Sequence, residues 1–302
     1  MTVSQPPTIP FTSGEAQATL QEACQVTGLR SDGARLIRLG ENALYVLPTE
    51  RVVVRIARSL DVLADAHKEV AVSAWLNEAG LPAARTTAHE QPLVVRDKPV
   101  TLWHFIEDCG TPADLNDLAA VLRMLHQMPV PAELALPEFK ILGRVSERIS
   151  ATDVLSDDER RFLLTRYEEL QVAYATLNFP LASCAVHGDA HSDNLIKAAD
   201  GTVVLIDFER FAFGPPETDL AVTAIEHTLG WGSRAAYEQF AELYGFDVMA
   251  WEGYSVLSDI NELKMTTWLM QNVDEDETIA QEFRNRLFCL QNPEAPRRWR
   301  PF

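Results

Sequence analysis

The chain has 302 residues, 47% hydrophobic and 23% charged, enough for two packed units and far from the composition of a disordered protein. Its net charge of -18 is unevenly spread, with 10 basic and 11 acidic residues over 1–105 against 16 and 33 in the remainder, so no basic surface is on offer to nucleic acid. Residues 1–15 have neither a basic start nor an apolar run, and no stretch reaches membrane-spanning length, which predicts a cytoplasmic protein with no membrane partner.

In chain order, Ser13 reads as an N-cap for a first helix running to Thr27, where Gly28 stops it. Three strands follow over 35–40, 43–47 and 51–57, with a polar turn at 48–50. A helix over 63–78 places Val70, Ala74 and Trp75 on one face and ends at Gly80 and Pro82, and extended segments at 92–96 and 100–105 join through Asp97 and Lys98. Beyond Ile106 the pattern turns helical, over 112–127, 156–177, 217–229, 233–244, 249–271 and 276–290. Asp200-Gly201, set between NLIKAA and TVVLID, signals a tight hairpin within that helical half. Residues 292–302 read as a loose basic-aromatic end. The change of pattern divides the chain into 1–105 and 106–302, with 107–111 as the connection. Cys24, Cys109, Cys184 and Cys289 lack the spacing of a zinc site or disulfide scaffold and read as buried free thiols.

The chemistry concentrates in 186–221, VHGDAHSDNLIKAADGTVVLIDFERFAFGPPETDLA. Asp189, Asn194 and Asp207 surround the hairpin as a carboxylate, an amide and a second carboxylate. Mg-dependent phosphoryl transfer asks for that set: one group to orient a hydroxyl, two oxygens to hold metal. Asp189 would accept the acceptor hydroxyl's hydrogen bond, positioning it while the proton moves late, and Asn194 and Asp207 would hold Mg. Turn-capping would explain a lone Asp, but not this spacing of all the parts at once.

HGDAHSDN at 187–194, IDFE at 206–209 and the continuation GPPETDLA, with Gly214, Pro215 and Asp219, resemble the aminoglycoside phosphotransferase and choline kinase-like family over nearly the whole chain. The resemblance implies an α+β, bilobal protein-kinase-like fold: a small antiparallel sheet with one cross-packed helix binding nucleotide in 1–105, and a larger, mainly helical catalytic and acceptor-binding lobe in 106–302. It points to Arg55 and Glu69 as a nucleotide clamp, Arg55 standing where protein kinases carry lysine and its planar fork suiting both phosphates and Glu69. His187 is implied to be a strut under the loop, and His191, Glu209 and Asp219 supports of the site. The loop at 40–44 holds one glycine, unlike a Gly-rich kinase loop, yet Asn42 could reach a phosphate. Adenine is expected beside Trp103, Phe105 and Ile106, with Phe105 and Ile106 as contacts. No Ala-Pro-Glu segment follows IDFE, which disfavours a protein kinase.

The implied activity is a kinase using Mg2+ and ATP, GTP not excluded, acting as monomer or homodimer. Its acceptor is expected to be a hydroxyl of an aminoglycoside or other cationic, antibiotic-like molecule, with Asp259 and Glu262 as acceptor contacts three apart on one helix, and hence a role in antibiotic resistance. Asp274, Glu275, Asp276 and Glu277 suit a solvated loop and helix start, and Trp251, Tyr254 and Trp268 suit the core. A metabolite kinase acting on an amino alcohol, homoserine or a sugar is the alternative. A nucleotide-binding regulator without turnover is a third reading.

Overall fold

The computed structural model describes residues 11–40, 42–274 and 276–302; Glu41 of the 40–44 loop and Glu275 of the acidic run lie outside the described residues. By packing, the chain forms two compact units, one of 1–112 with 195–209 and one of 113–194 with 210–302. The first unit thus takes in the Asp200-Gly201 hairpin as well as the amino-terminal part. The hairpin joins it through backbone bridges from Ala83 to Leu205 and from Asp108 to Ala198.

In the first unit, α1 (Ser13–Thr27) is capped by Thr12, one residue earlier than expected, and closed by Gly28 in the left-handed region. Five antiparallel strands, β1 (Arg35–Leu39), β2 (Asn42–Leu47), β3 (Val52–Ala57), β4 (Leu93–Val95) and β5 (Lys98–His104), lie in the order β1-β2-β3-β5-β4. Alternation on β3 decides what each face carries. Val52, Val54 and Ile56 join Ala16, Leu20 and Ala23 of α1 in one apolar cluster, so Arg55 must point to the opposite face. There it meets α2 (Leu63–Glu78). The hairpin strands β7 (Leu195–Lys197) and β8 (Val203–Leu205) pair antiparallel, as the Asp-Gly signal requires.

The second unit is built from α3 (Leu115–Gln127), α4 (Val145–Ala151), α5 (Asp157–Ala175), α6 (Glu217–Thr228), α7 (Arg234–Tyr244), α8 (Tyr254–Leu269) and α9 (Glu277–Gln291), with a two-stranded ribbon of β6 (Cys184–Val186) and β9 (Ala212–Gly214). One of its cores draws Val145, Ile149, Leu163, Ile260, Leu263 and Phe283 from α4, α5, α8 and α9. The single helix expected over 249–271 is interrupted. A 3-10 turn at Val248–Ala250, capped by Asp247, precedes α8, and the Trp251 indole lies on Gly253 where any Cβ would clash. Seven-residue α4 and three-residue β6 and β9 go beyond the expected elements, being too short for a periodic signal.

The carboxy-terminal end is docked rather than loose: Trp299 is buried, its carbonyl accepts from Trp231 Nε1 at 2.8 Å, and Arg297 pairs with Glu262 at 3.2 Å. Apolar contact and charge pairing together outweigh the tail's basic composition. Cys109 is exposed, whereas the other three thiols are buried. Trp268 is also exposed instead of core. Among the described residues no helix is long and apolar enough to cross a membrane.

Candidate active site

The 187–194 loop leaves β6 through a position that only glycine suits. Gly188 has φ 79°, and a Cβ there would stand 2.5 Å from the Arg210 carbonyl oxygen. Both backbone amides at the start of the loop are tied to one buried carboxylate, His187 N at 2.7 Å and Gly188 N at 2.8 Å from Asp219, in the first turn of α6. His126 of α3 donates to the same carboxylate at 3.1 Å. Burial would raise the Asp219 carboxyl, but the His126 hydrogen bond and charge, with the His187 amide, hold it below the usual carboxylate range. His187 is fully buried and meets Phe211 edge-on, at 5.3 Å between centroids.

Beyond this anchor, Asn194 Nδ2 donates to the Asp189 carbonyl at 2.8 Å and lies 3.1 Å from His191 Nε2, while His191 N donates back to the Asp189 carbonyl. The amide hydrogens are thereby spent inside the loop. Its oxygen is the atom left to offer a cation. The Asp189 carboxylate is about half exposed, and Arg210 Nε stands 3.9 Å from it.

In the first unit, Arg55 is the hub. Its Nη1 donates to Glu69 of α2 and its Nη2 to Glu209 at 2.7 Å. With the Asn42 amide oxygen turned inward, Asn42 accepts from Arg55 Nε at 3.2 Å and Nη2 at 2.9 Å. Lys68 Nζ donates to the Glu209 carbonyl at 2.6 Å. Asp207, exposed and with φ 63°, takes a left-handed conformation that costs about 1 kcal/mol. The neighbouring Phe208 is fully buried and packs 5.9 Å from Trp103, which holds the segment in that state.

Three carboxylates, Glu69, Asp207 and Glu209, thus surround two cations. Burial raises Glu69, Arg55 opposes, and the other two carboxylates add to the rise. Burial works against the Arg55 charge, but the same carboxylates outweigh it and hold the guanidinium above its ordinary value. This excess of negative charge suits a divalent cation. Among the described residues no cluster of three or more His, Cys, Asp or Glu side chains could hold a metal ion.

The remaining expected residues are placed less pointedly. Phe105 is exposed beneath the Arg51 guanidinium, 5.7 Å from its ring centroid. Ile106 lines a cavity of about 380 Å3 with Leu81, Pro82, His104 and Val204, and neither Arg55 nor Phe105 is among its walls. Asp259 accepts from Arg166 at 2.6 Å and Glu262 pairs with Arg297, so both are matched by arginine within the unit. Sequence reasoning missed His126, Lys68 and Arg210. The partners of His126 and Lys68 lie 93 and 141 residues away, and no local pattern announces such a contact.

A small antiparallel sheet with one helix clamping an arginine, and a helical unit presenting His-Gly-Asp on a glycine turn, define a phosphotransferase of protein-kinase-like fold. The chain belongs to the phosphotransferase enzyme family, whose sequence model matches residues 35–257. Among solved structures, it is similar to amicoumacin kinase hAmiN in complex with AMP-PNP, Ca2+ and Ami, at 12% identity and TM-score 0.70 over 96% of this chain and 98% of that one. It is also similar to APH(2")-IIia with GDP and kanamycin, at 14% identity and TM-score 0.65, covering 92% and 99%. A choline/ethanolamine kinase family protein from Mesorhizobium loti matches at 16% identity and TM-score 0.61, over 95% and 96%. No curated protein sequence matches the chain.

Proposed function

We propose that the protein transfers the γ-phosphate of ATP or GTP to a hydroxyl of a small molecule. The carrying observation is the loop anchored on Asp219, which presents a half-exposed Asp189 carboxylate beside an Asn194 whose amide hydrogens are already used. In this reading Asp189 accepts the acceptor hydroxyl's hydrogen bond and aligns its oxygen for attack. The proton passes to the carboxylate late, once the bond to phosphorus is largely formed. Asn194 and Asp207 are the residues that would hold Mg, which when bound neutralises charge on the transferring and leaving phosphates. Arg55, kept charged by Glu69 and Glu209, is the cation that would meet the nucleotide's phosphates.

One of the similar structures holds kanamycin and another is a choline/ethanolamine kinase family protein, so antibiotic and metabolite acceptors both belong to the reading. Residues 1–112 with 195–209 would serve the nucleotide, and the other unit the acceptor. The test is Asp189→Ala assayed by nucleotide consumption over an acceptor panel. Positioning and proton transfer together are worth about 10²–10⁴-fold in rate, so turnover should fall by that much while stabilisation by Mg-nucleotide persists. A variant that keeps full turnover would remove Asp189 from its role.

A further inference from the structure

Lys68 of α2 is turned inward. A lysine on a helix surface ordinarily runs its stem along the protein and carries the ammonium into water, but this side chain is only 13% exposed and its Nζ donates at 2.6 Å to the backbone carbonyl of Glu209. Its other partner, Asp65, lies three residues back on α2 at 3.3 Å and is about half exposed, so water competes for that pair. The close contact is with a neutral oxygen. What it secures is the position of the Glu209 peptide.

That peptide closes a short segment around Asp207. At the near end both backbone groups of Leu205 are tied to the chain after α2, its N–H donating to the Pro82 carbonyl at 3.0 Å and its carbonyl accepting from Ala84 N at 2.8 Å. At the far end the Glu209 carbonyl takes the Lys68 ammonium, and the Glu209 carboxylate takes Arg55 Nη2 at 2.7 Å. Between these anchors Asp207 stands exposed at φ 63°, a left-handed state that a non-glycine residue leaves unless its flanks are held. Phe208, buried against Trp103, secures one flank, and the Glu209 carbonyl is the next backbone group along. Lys68 and Glu69 are consecutive, so one turn of α2 grips both this segment and Arg55. Resting on the kinase reading above, we infer that Lys68 is a positioning residue for phosphoryl transfer. By holding the Glu209 carbonyl it keeps Asp207 in the conformation that offers its carboxylate to metal, and it ties that conformation to the placement of α2.

The experiment compares wild type with Lys68→Met, which keeps the stem and removes the donor, with Lys68→Arg, which still donates, and with Asp65→Asn. Hydrogen exchange over 205–209, thermal stabilisation by ADP with and without Mg2+, and kinetics with ATP and whichever of kanamycin, choline or homoserine wild type phosphorylates are the readouts. Lys68→Met should exchange about tenfold faster over 205–209, the effect of losing one hydrogen bond to a charged group. It should keep the stabilisation by ADP alone and lose most of what Mg2+ adds. Its kcat should fall by about ten- to a hundredfold with acceptor KM unchanged, as small misplacements near a reacting centre do. Lys68→Arg should recover most of each loss, and Asp65→Asn should behave as wild type. Unchanged exchange over 205–209 in Lys68→Met overturns the inference, as does a lower melting temperature with the Mg2+ increment intact, the mark of a lysine that only holds α2 together. Loss of the stabilisation by ADP alone also overturns it, because Lys68 would then meet phosphate directly. The kinase reading fails separately, and takes this inference with it, if wild type gains no stability from Mg-nucleotide and consumes no ATP.

Discussion

At the scale of single residues, Gly188 carries more of the site than its size suggests. It takes φ 79°, and the space a Cβ would need is filled by the Arg210 carbonyl at 2.5 Å and the Arg210 Cβ at 2.9 Å. Backbone cannot retreat as a flexible side chain can, so Gly188→Ala must shift either the 187–194 loop or the start of β9. The left-handed conformation and the overlap together should cost about 2–4 kcal/mol. Because Asp189 is the next residue and Arg210 its cationic neighbour, activity should fall further than stability alone explains. Chemical denaturation and turnover on the same preparation check this: a variant as stable as wild type and fully active would show that the turn tolerates a side chain. His-Gly-Asp is legible in the sequence as a motif. Which atoms require the glycine is not, because they lie 22 residues on, across a three-residue ribbon.

At the scale of elements, the first turn of α6 holds the 187–194 loop by a single carboxylate. Asp219 is buried and accepts from His187 N, Gly188 N and His126 Nε2, so Asp219→Asn keeps the shape but removes the charge that three donors share. A hydrogen bond to a charged group is worth about 1.5–3 kcal/mol, and the variant should lose at least that much at neutral pH. The pH dependence has a definite sign. Asp219 is held below its ordinary value, so its contribution is present above about pH 4, where the unfolded carboxylate is ionised, and is lost as pH falls through the lower folded value. The gap in melting temperature between wild type and Asp219→Asn should therefore close on acidification below about pH 4; a gap that widens there would contradict the assignment. Elements with their own periodicity or turn chemistry, such as α2 and the Asp200-Gly201 hairpin, are legible from their residues alone. Hidden from such a reading are elements made by their partners: β6 needs β9, α4 needs α5 and α8, and the anchor at Asp219 needs His126 from a distant helix.

At the scale of the whole molecule, the heavy negative charge of residues 106–302 is not left to repel itself. Arginines are placed against two of its buried acids, Glu282 and Glu262, and the carboxy-terminal tail supplies one of these arginines. Arg286 lies between the rings of Trp231 and Trp299, at 5.8 and 5.0 Å, and bonds Glu282 at 2.8 Å. Arg297 adds its guanidinium to Glu262 on α8. The aromatic and charged residues of the tail are legible in the sequence, but not their docking, because its contacts reach Trp231 ahead of α7, Glu262 on α8 and Arg286 on α9, none of them a neighbour in sequence. Burial already raises the Glu262 carboxyl, and Arg297 opposes that rise. Arg297→Met keeps the tail's apolar reach while leaving a buried carboxylate without its partner, which should cost about 3 kcal/mol at neutral pH. In that variant the folded pKa of Glu262 stands further above its unfolded value of about 4.3, so the folded state binds the proton more tightly and the penalty applies only where the group is ionised. The deficit should shrink as pH falls from neutrality toward about 4, the range in which Glu262 protonates. Thermal denaturation of wild type and Arg297→Met across that range measures it. A deficit independent of pH would mean that Arg297 acts through packing and not through its charge.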